Sequence, residues 1–304
     1  MTLLGRLSRR TKNNGRVTGL DNDMQKVKQL IFDHVPSVFT DILGHVNKFL
    51  YWGSKYKCPL CLNNLRSFLP LPSEFRITVE ILGRRFTASD FETLNVDNYL
   101  CPVCRCADRD RLSALFLKRI PRELQAKRML LHFAPERALS SFLRKNFVYS
   151  YRTADLFRKD VDDRVDIARM SNYDGASVDC FICSHVLEHV PDDTLAVREL
   201  YRVLKPTGWG VILVPIIPEL AQTYEDPSKT TETERLQHFG QKDHLRVYGK
   251  TDFINRLKSS GFQVSQLGAE FFGGDLLERH GISNRSCLYV VHKTPALIIT
   301  EGHP

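Results

Sequence analysis

The sequence predicts a doubly wound α/β sheet preceded by a small zinc-ribbon-like module. Three observations predict it. From Met129 onward, short apolar runs alternate with helix-patterned segments, as in strand–helix–strand units that close a parallel sheet. Before that point four cysteines fall into two matching units, Cys58-Pro-Leu-Cys61 and Cys101-Pro-Val-Cys104. The 304 residues exceed one such sheet and leave room for a second, smaller unit.

In chain order, residues 1–55 read as a basic leader followed by helical segments. Arg6, Arg9, Arg10, Lys12 and Arg16 precede the first acid, Asp21. Val27, Leu30, Ile31, His34 and Val35 then recur at helical spacing until Pro36 interrupts them. A second helix, Val38–Trp52, carries Phe39, Ile42, Leu43, Val46, Phe49 and Leu50 as an apolar stripe. The stripe is expected to pack on the body, with peripheral membrane or partner contact as the alternative use. Residues 56–108 form the cysteine module, with a hairpin expected from Arg76–Ile81 and Arg84–Phe86 around Gly83. Residues 109–128 are a linker helix ending before Pro121. Residues 129–295 are the sheet domain, and 296–304 a tail. The predicted strands are Met129–Phe133, Val148–Thr153, Cys180–Cys183, Trp209–Val214, Phe262–Leu267 and Ser286–His292. The predicted helices are Arg137–Lys145, Asp192–Leu204 and Thr251–Ser260. Right-handed crossovers put the strand C-terminal ends on one edge, where ligands bind.

The paired knuckles offer four soft thiolates, Cys58, Cys61, Cys101 and Cys104, which suit tetrahedral zinc. Four protein ligands leave no open position, so the ion is expected to be structural and to help fold the module. The hairpin within the insert is expected to bring the knuckles together. Cys106 reads as a neighbour of the second knuckle, with substitution as a ligand as the alternative. Cys180 and Cys183 also form a CxxC, but strand alternation separates their side chains, and they read as core thiols.

Composition excludes some classes. The charge of +8 favours anionic partners without specifying one. No apolar run reaches the roughly 18 residues of a membrane span. No apolar segment with a small-residue cleavage site opens the chain. The expectation is a cytoplasmic protein whose cysteines serve as ligands or core residues rather than disulfides.

The segment Asp179–Val214 resembles the type 11 family of Rossmann-like methyltransferases that use S-adenosylmethionine. The resemblance rests on Asp179 opening a buried strand, the strand end Cys183-Ser184-His185, the Leu-Glu-His-Val turn, and Arg202-Val-Leu-Lys-Pro-x-Gly208. Upstream, Met129–Phe133 matches the family's first strand and Tyr151–Leu156 its second. The resemblance spans about residues 129–295. It implies that Asp155 and Leu156 meet the ribose of the cofactor, and that Asp166 and Ile167 lie near its adenine. Ser184 and the loop His132, Ala134, Pro135 and Glu136 complete the cofactor set. The family's first loop carries glycines, which this chain lacks. Two readings follow: Glu136 supplies the acid that grips the cofactor's amino group, or the pocket has lost the cofactor. The chain also resembles a bacterial group that combines the CPxC module, a His-Phe-Ala-Pro-Glu loop, Ser-His-Val-Leu-Glu-His-Val-Pro and Phe239-Gly-x-x-Asp243-His244, which favours cofactor binding.

His189, His185, His244 and Asp243 are the candidate catalytic residues, because an imidazole near the transferred methyl can take a proton. His189 comes first among them, and its alternative role is to tie its turn together. Asp243-His244 lies in the polar insertion Pro215–Lys250, with Tyr224, Glu225, Asp226, Glu234, Arg235, His238 and Arg246 as further candidates for reading the acceptor. His185-Val-Leu-Glu188-His189 also fits the zinc-protease pattern H-x-x-E-H. That reading is rejected, since Pro191 ends the segment before a full helical turn forms. The expected reaction is O-methylation of a small-molecule or saccharide-type acceptor. Two alternatives stay open. One is RNA methylation with the zinc module as RNA binder, and the other is a scaffold without activity.

Overall fold

The computed structural model describes residues 37–121, 125, 128–147 and 150–294, and the side chains from 44 onward. The basic leader, the Val27–Val35 helix, part of the linker and the tail lie outside the described residues. The chain divides into two units, Met1–Val46 and Asn47–Pro304. Helix α1 (Ser37–Leu50) begins in the first and ends in the second. Phe49 (81% exposed), Leu50 and Trp52 are exposed, so this end of the apolar stripe is not packed, contrary to expectation.

The cysteine module follows. Strands β1 (Trp52–Lys57) and β2 (Asn64–Leu65) pair antiparallel. The predicted hairpin is β3 (Thr78–Ile81) with β4 (Arg84–Thr87). Its two-residue turn, Leu82-Gly83, has both residues at positive φ (51° and 73°), the twist that antiparallel strands favour. Helix α2 (Asp108–Arg119) packs into the main core through Leu112, Phe116 and Leu117. Phe116 meets Trp209 edge-on at 5.4 Å.

Seven strands form the central sheet: β5 (Met129–Phe133), β6 (Ser150–Asp155), β7 (Asp163–Arg164), β8 (Val178–Ser184), β9 (Leu204–Leu213), β13 (Gln263–Leu267) and β14 (Leu288–His292). Their spatial order is β13-β14-β9-β8-β5-β6-β7. β14 alone runs antiparallel to its neighbours. Every residue of β14, and every residue of β8 except Asp179, is buried, as expected where both faces of a sheet are covered. Cys180 and Cys183 are therefore both buried although they point to opposite faces. Helices α3 (Arg137–Asn146), α4 (Asp193–Val203) and α6 (Lys250–Ser259) connect the strands. The short α7 (Ala269–Phe272) and α8 (Gly274–Arg279) precede β14.

The structure accounts for two motif residues. Asp179 accepts hydrogen bonds from Met129 N (3.0 Å) and Lys205 Nζ (2.8 Å), tying the starts of β5, β8 and β9 together. Arg202 donates to the carbonyls of Tyr173 and Met170 at 2.9 Å each, pinning the loop that feeds β8. The motif residues Lys205–Gly208 lie inside β9, which pairs irregularly with β8 there.

The insertion expected as a polar loop is folded. β10 (Ile216–Ile217) and β11 (Tyr224–Glu225) flank β12 (Arg246–Gly249) in a three-stranded sheet. Helix α5 (Glu232–Phe239) is capped by a reciprocal Thr231–Glu234 box and ends at left-handed Gly240. Ile217, Leu220, Phe239 and Val247 share a small core with Val79, Ile81 and Phe86 of the β3–β4 hairpin. The hairpin thus supports the insertion, whereas the expectation had it joining the knuckles.

Candidate functional site

The order of the central sheet fixes where a ligand crevice opens. The chain leaves β5 toward β6 and β7, then crosses back to β8 on the other side of β5. Ligands of doubly wound sheets bind at such a reversal, beyond the strand C-terminal ends. Here those ends deliver His132–Glu136 from β5, Asp155 from β6 and Ser184–His189 from β8.

In the first loop, Ala134 has φ 45°. An alanine here adopts the left-handed backbone that a glycine would reach freely, at a cost of order 1–3 kcal/mol. Its N–H donates to Ala154 O at 2.8 Å, closing the loop on β6. His132 is fully buried. Its Nε2 lies 2.9 Å from Glu136 Oε2, and its Nδ1 lies 2.8 Å from the Tyr151 hydroxyl. Arg158 Nη1 donates to Pro135 O at 2.8 Å. Burial pushes the Glu136 carboxyl up, but His132 and then Arg109 outweigh this and hold it below the usual range. Asp110, at the start of α2, is pushed up to about 7 by burial and then by the Glu136 charge. Neither Arg109 nor Asp110 stood out in the sequence. The signal available was a run of charges, Asp108–Arg111, inside a helix whose other residues are largely apolar.

Asp155 Oδ1 accepts from the N–H groups of Phe157 (2.7 Å) and Arg158 (2.9 Å), a tight turn that fixes the carboxylate at the end of β6. Leu156 beside it is exposed. Asp166 Oδ1 accepts from Ala168 N at 2.9 Å, while Ile167 is buried. Ser184 is buried at the end of β8.

His185, just past β8, has φ 54°. A short 3-10 turn, Leu187–His189, follows. Glu188 is completely buried, and His185 Nδ1 lies 3.0 Å from its Oε1. His244 is 3% exposed, with Nε2 4.0 Å from the same oxygen. The His189 and His244 rings meet edge-on at 4.7 Å, and His189 Nδ1 lies 3.3 Å from Asp243 Oδ2. Burial pushes the Glu188 carboxyl up, but His185, then His244 and His189, outweigh it and hold it at about 2. Burial pushes the His244 imidazole down to about 4. Burial also pushes His189 down, but Asp243 and Glu188 outweigh this and raise it. The structure thus brings His185, His189, Asp243 and His244 together. Glu188 at their centre was quoted in a motif but not singled out, although the H-x-x-E-H spacing marks it.

Arg246 holds this arrangement. It is 4% exposed. It donates to the carbonyls of Leu187, Val190 and Pro191 and to Glu225. Leu245 N donates to Glu188 O at 2.8 Å. The residue expected to read an acceptor instead clamps the turn that carries Glu188 and His189.

The two cysteine knuckles share one geometry. In each, the residue after the second cysteine, Leu62 or Arg105, has φ 62° and donates its N–H to the carbonyl of the first cysteine at 3.0 Å. Cys58 Sγ lies 3.7 Å from Cys104 Sγ, and Cys61 Sγ 3.8 Å from Cys101 Sγ. All four sulfurs lie within 4.8 Å of one another. A zinc ion with bonds of about 2.3 Å requires sulfur separations of about 3.8 Å, so the four cysteines fit it. Cys106 O accepts from Cys101 N at 2.9 Å, as Asn63 O accepts from Cys58 N at 3.0 Å. By position, then, Cys106 is the counterpart of Asn63, and its Sγ lies 3.5 Å from Cys58 Sγ, beside the four grouped cysteines.

Residues 149–212 match the family described as methyltransferase domain, of type 11. Fold and match together define the class of this region, a Rossmann-like methyltransferase domain. Solved structures are similar at low identity. A methyltransferase from Mesorhizobium loti described as S-adenosylmethionine-dependent is 15% identical, covering 60% of this chain and 97% of that one, at a TM-score of 0.40. One from Archaeoglobus fulgidus with the same dependence is 13% identical, covering 60% and 92%, at 0.38. A putative methyltransferase of Haloferax volcanii, in complex with the activator Trm112, is 15% identical, covering 61% and 93%, at 0.38. Among curated proteins nothing matches.

Proposed function

We propose that the chain is an S-adenosylmethionine-dependent O-methyltransferase acting on a small-molecule acceptor of saccharide type. The observation that carries this is the convergence of Glu136, Asp155 and the His185–Glu188–His189–His244 cluster on one edge of the sheet, at its reversal point. The donor set fits the cofactor. Asp155 offers a carboxylate to a ribose diol, and Glu136, held ionised, offers one to an ammonium group. The left-handed Ala134 supports a working loop over a decayed one, because the backbone turn survives without glycine.

When bound, the cofactor supplies an electrophilic methyl on a sulfonium, and transfer leaves S-adenosylhomocysteine. The chain's residues orient and deprotonate. His185 and His189 stand at the end of β8, each beside a carboxylate, and a ring nitrogen there accepts the proton of the acceptor hydroxyl. An acceptor oxygen so deprotonated would be the nucleophile for the methyl group that a bound cofactor supplies. The folded insertion sets Asp243 and His244 against the turn that carries Glu188 and His189. We also assign Cys58, Cys61, Cys101 and Cys104 to a structural zinc ion.

The test is methyl transfer from labelled cofactor to a panel of sugars, nucleotide sugars and RNA. Transfer to a hydroxylated small molecule that disappears in Asp155→Ala supports the reading, and transfer to RNA alone overturns the acceptor class.

A further inference from the structure

We propose that Glu188, His189 and His244 form a second metal site, which binds a divalent first-row transition cation of zinc type and presents it to the acceptor. One ligand atom from each lies within 4.8 Å of the other two. Three ligands around zinc at about 2.1 Å stand about 3.4 Å apart, so side-chain rotations of about 1 Å close the set on an ion. Two histidines and one carboxylate make up a set that leaves a coordination position open for substrate.

Buried atoms without partners argue for an ion. Glu188 is wholly buried, and neither of its oxygens has a hydrogen-bond partner among the described residues. His185 Nδ1, at 3.0 Å, lacks the geometry of a hydrogen bond to it. His244 is 3% exposed, and its Nδ1 is unpartnered as well. Unsatisfied carboxylates and imidazoles are costly to bury, and a cation among them satisfies both. Asp243, 3.3 Å from His189 Nδ1, sits where an outer carboxylate orients a ligating imidazole. The ligands come from two elements, the turn after β8 and the insertion. Arg246 and the Leu245–Glu188 hydrogen bond hold these together.

The role of the ion rests on the methyltransferase reading. A hydroxyl oxygen taking the open position would lose its proton more readily to the imidazole left off the ion, and the alkoxide would stay on the cation. With His189 and His244 on the ion, His185 remains as the free imidazole of the cluster.

The test is a cobalt(II) titration of the full chain after its cysteine site has been filled. Filling the cysteine site gives intense thiolate-to-cobalt charge-transfer bands. The proposal expects a second saturable phase that adds ligand-field bands with no further charge transfer. That phase is to weaken at least tenfold in both Glu188→Gln and His244→Gln, while Cys106→Ser retains it. Absence of the second phase in the unaltered chain overturns the proposal, as does a phase unchanged in Glu188→Gln. The charge-transfer bands report whether each variant is folded. Cofactor binding measured in parallel separates the two readings. A missing second phase with intact cofactor binding sinks the metal site alone, and the converse sinks the methyltransferase reading alone.

Discussion

Replacing Arg246 with Met keeps most of the side-chain volume and removes the donors. Three main-chain carbonyls, those of Leu187, Val190 and Pro191, then lose a charged partner in a buried site. Glu225 loses less, because it is partly exposed and keeps Arg256 at 3.0 Å. Leaving buried acceptors unpaired costs about 1–3 kcal/mol each, and breaking a buried charged contact about 3–5 kcal/mol overall. We therefore expect a loss of about 3–5 kcal/mol, a large part of the roughly 5–15 kcal/mol that holds a domain folded. Urea unfolding measures the loss. Hydrogen exchange locates it at His189 N and Val190 N, which bond within the clamped turn. Cofactor affinity should change less than twofold, because Glu136 follows β5 and Asp155 ends β6, away from the clamped turn. A loss under about 1 kcal/mol, or exchange that does not speed up at the turn, refutes the clamp.

Three further outcomes are expected. Gly210→Ala puts a Cβ 2.1 Å from Phe181 Cζ on the paired strand, so it should destabilise by at least about 1–3 kcal/mol in thermal unfolding. If the four cysteines hold zinc as proposed, elemental analysis should find it lost in Cys101→Ser and kept in Cys106→Ser. Asp110, whose folded carboxyl is raised from 3.8 to about 7, contributes stability that is full below pH 4 and lost as pH rises through 7. Asp110→Asn should therefore gain on the unaltered chain in melting temperature as pH climbs from 4 to 8, and a pH-independent difference would rule this out.

Much of the fold was legible because its signals are local. Six of the seven strands of the central sheet were readable as short apolar runs, while the two-residue polar β7 was missed and β9 starts five residues before the predicted Trp209. The cysteine knuckles were legible from spacing alone, since Cys-Pro-x-Cys dictates its own turn. In sequence the insertion reads as a polar loop and its fold is missed, because its strands are only two to four residues long. Its core is completed by a hairpin more than a hundred residues upstream. Even so, the Thr231–Glu234 cap and Gly240 were readable signs of a helix there. The site was legible as separate candidates. That His244 meets His189, and that Glu188 lies buried between the imidazoles, depends on Arg246 bridging two distant segments. No residue spacing encodes that bridge.

The most direct test of the account is calorimetric titration of the zinc-loaded chain with S-adenosylmethionine and S-adenosylhomocysteine. The account predicts saturable binding of both, lost in Asp155→Ala and weakened about 10-fold or more in Glu136→Ala, as expected on removing a charged hydrogen bond. No binding by the folded, zinc-loaded chain would contradict it and leave a methyltransferase fold used for something else.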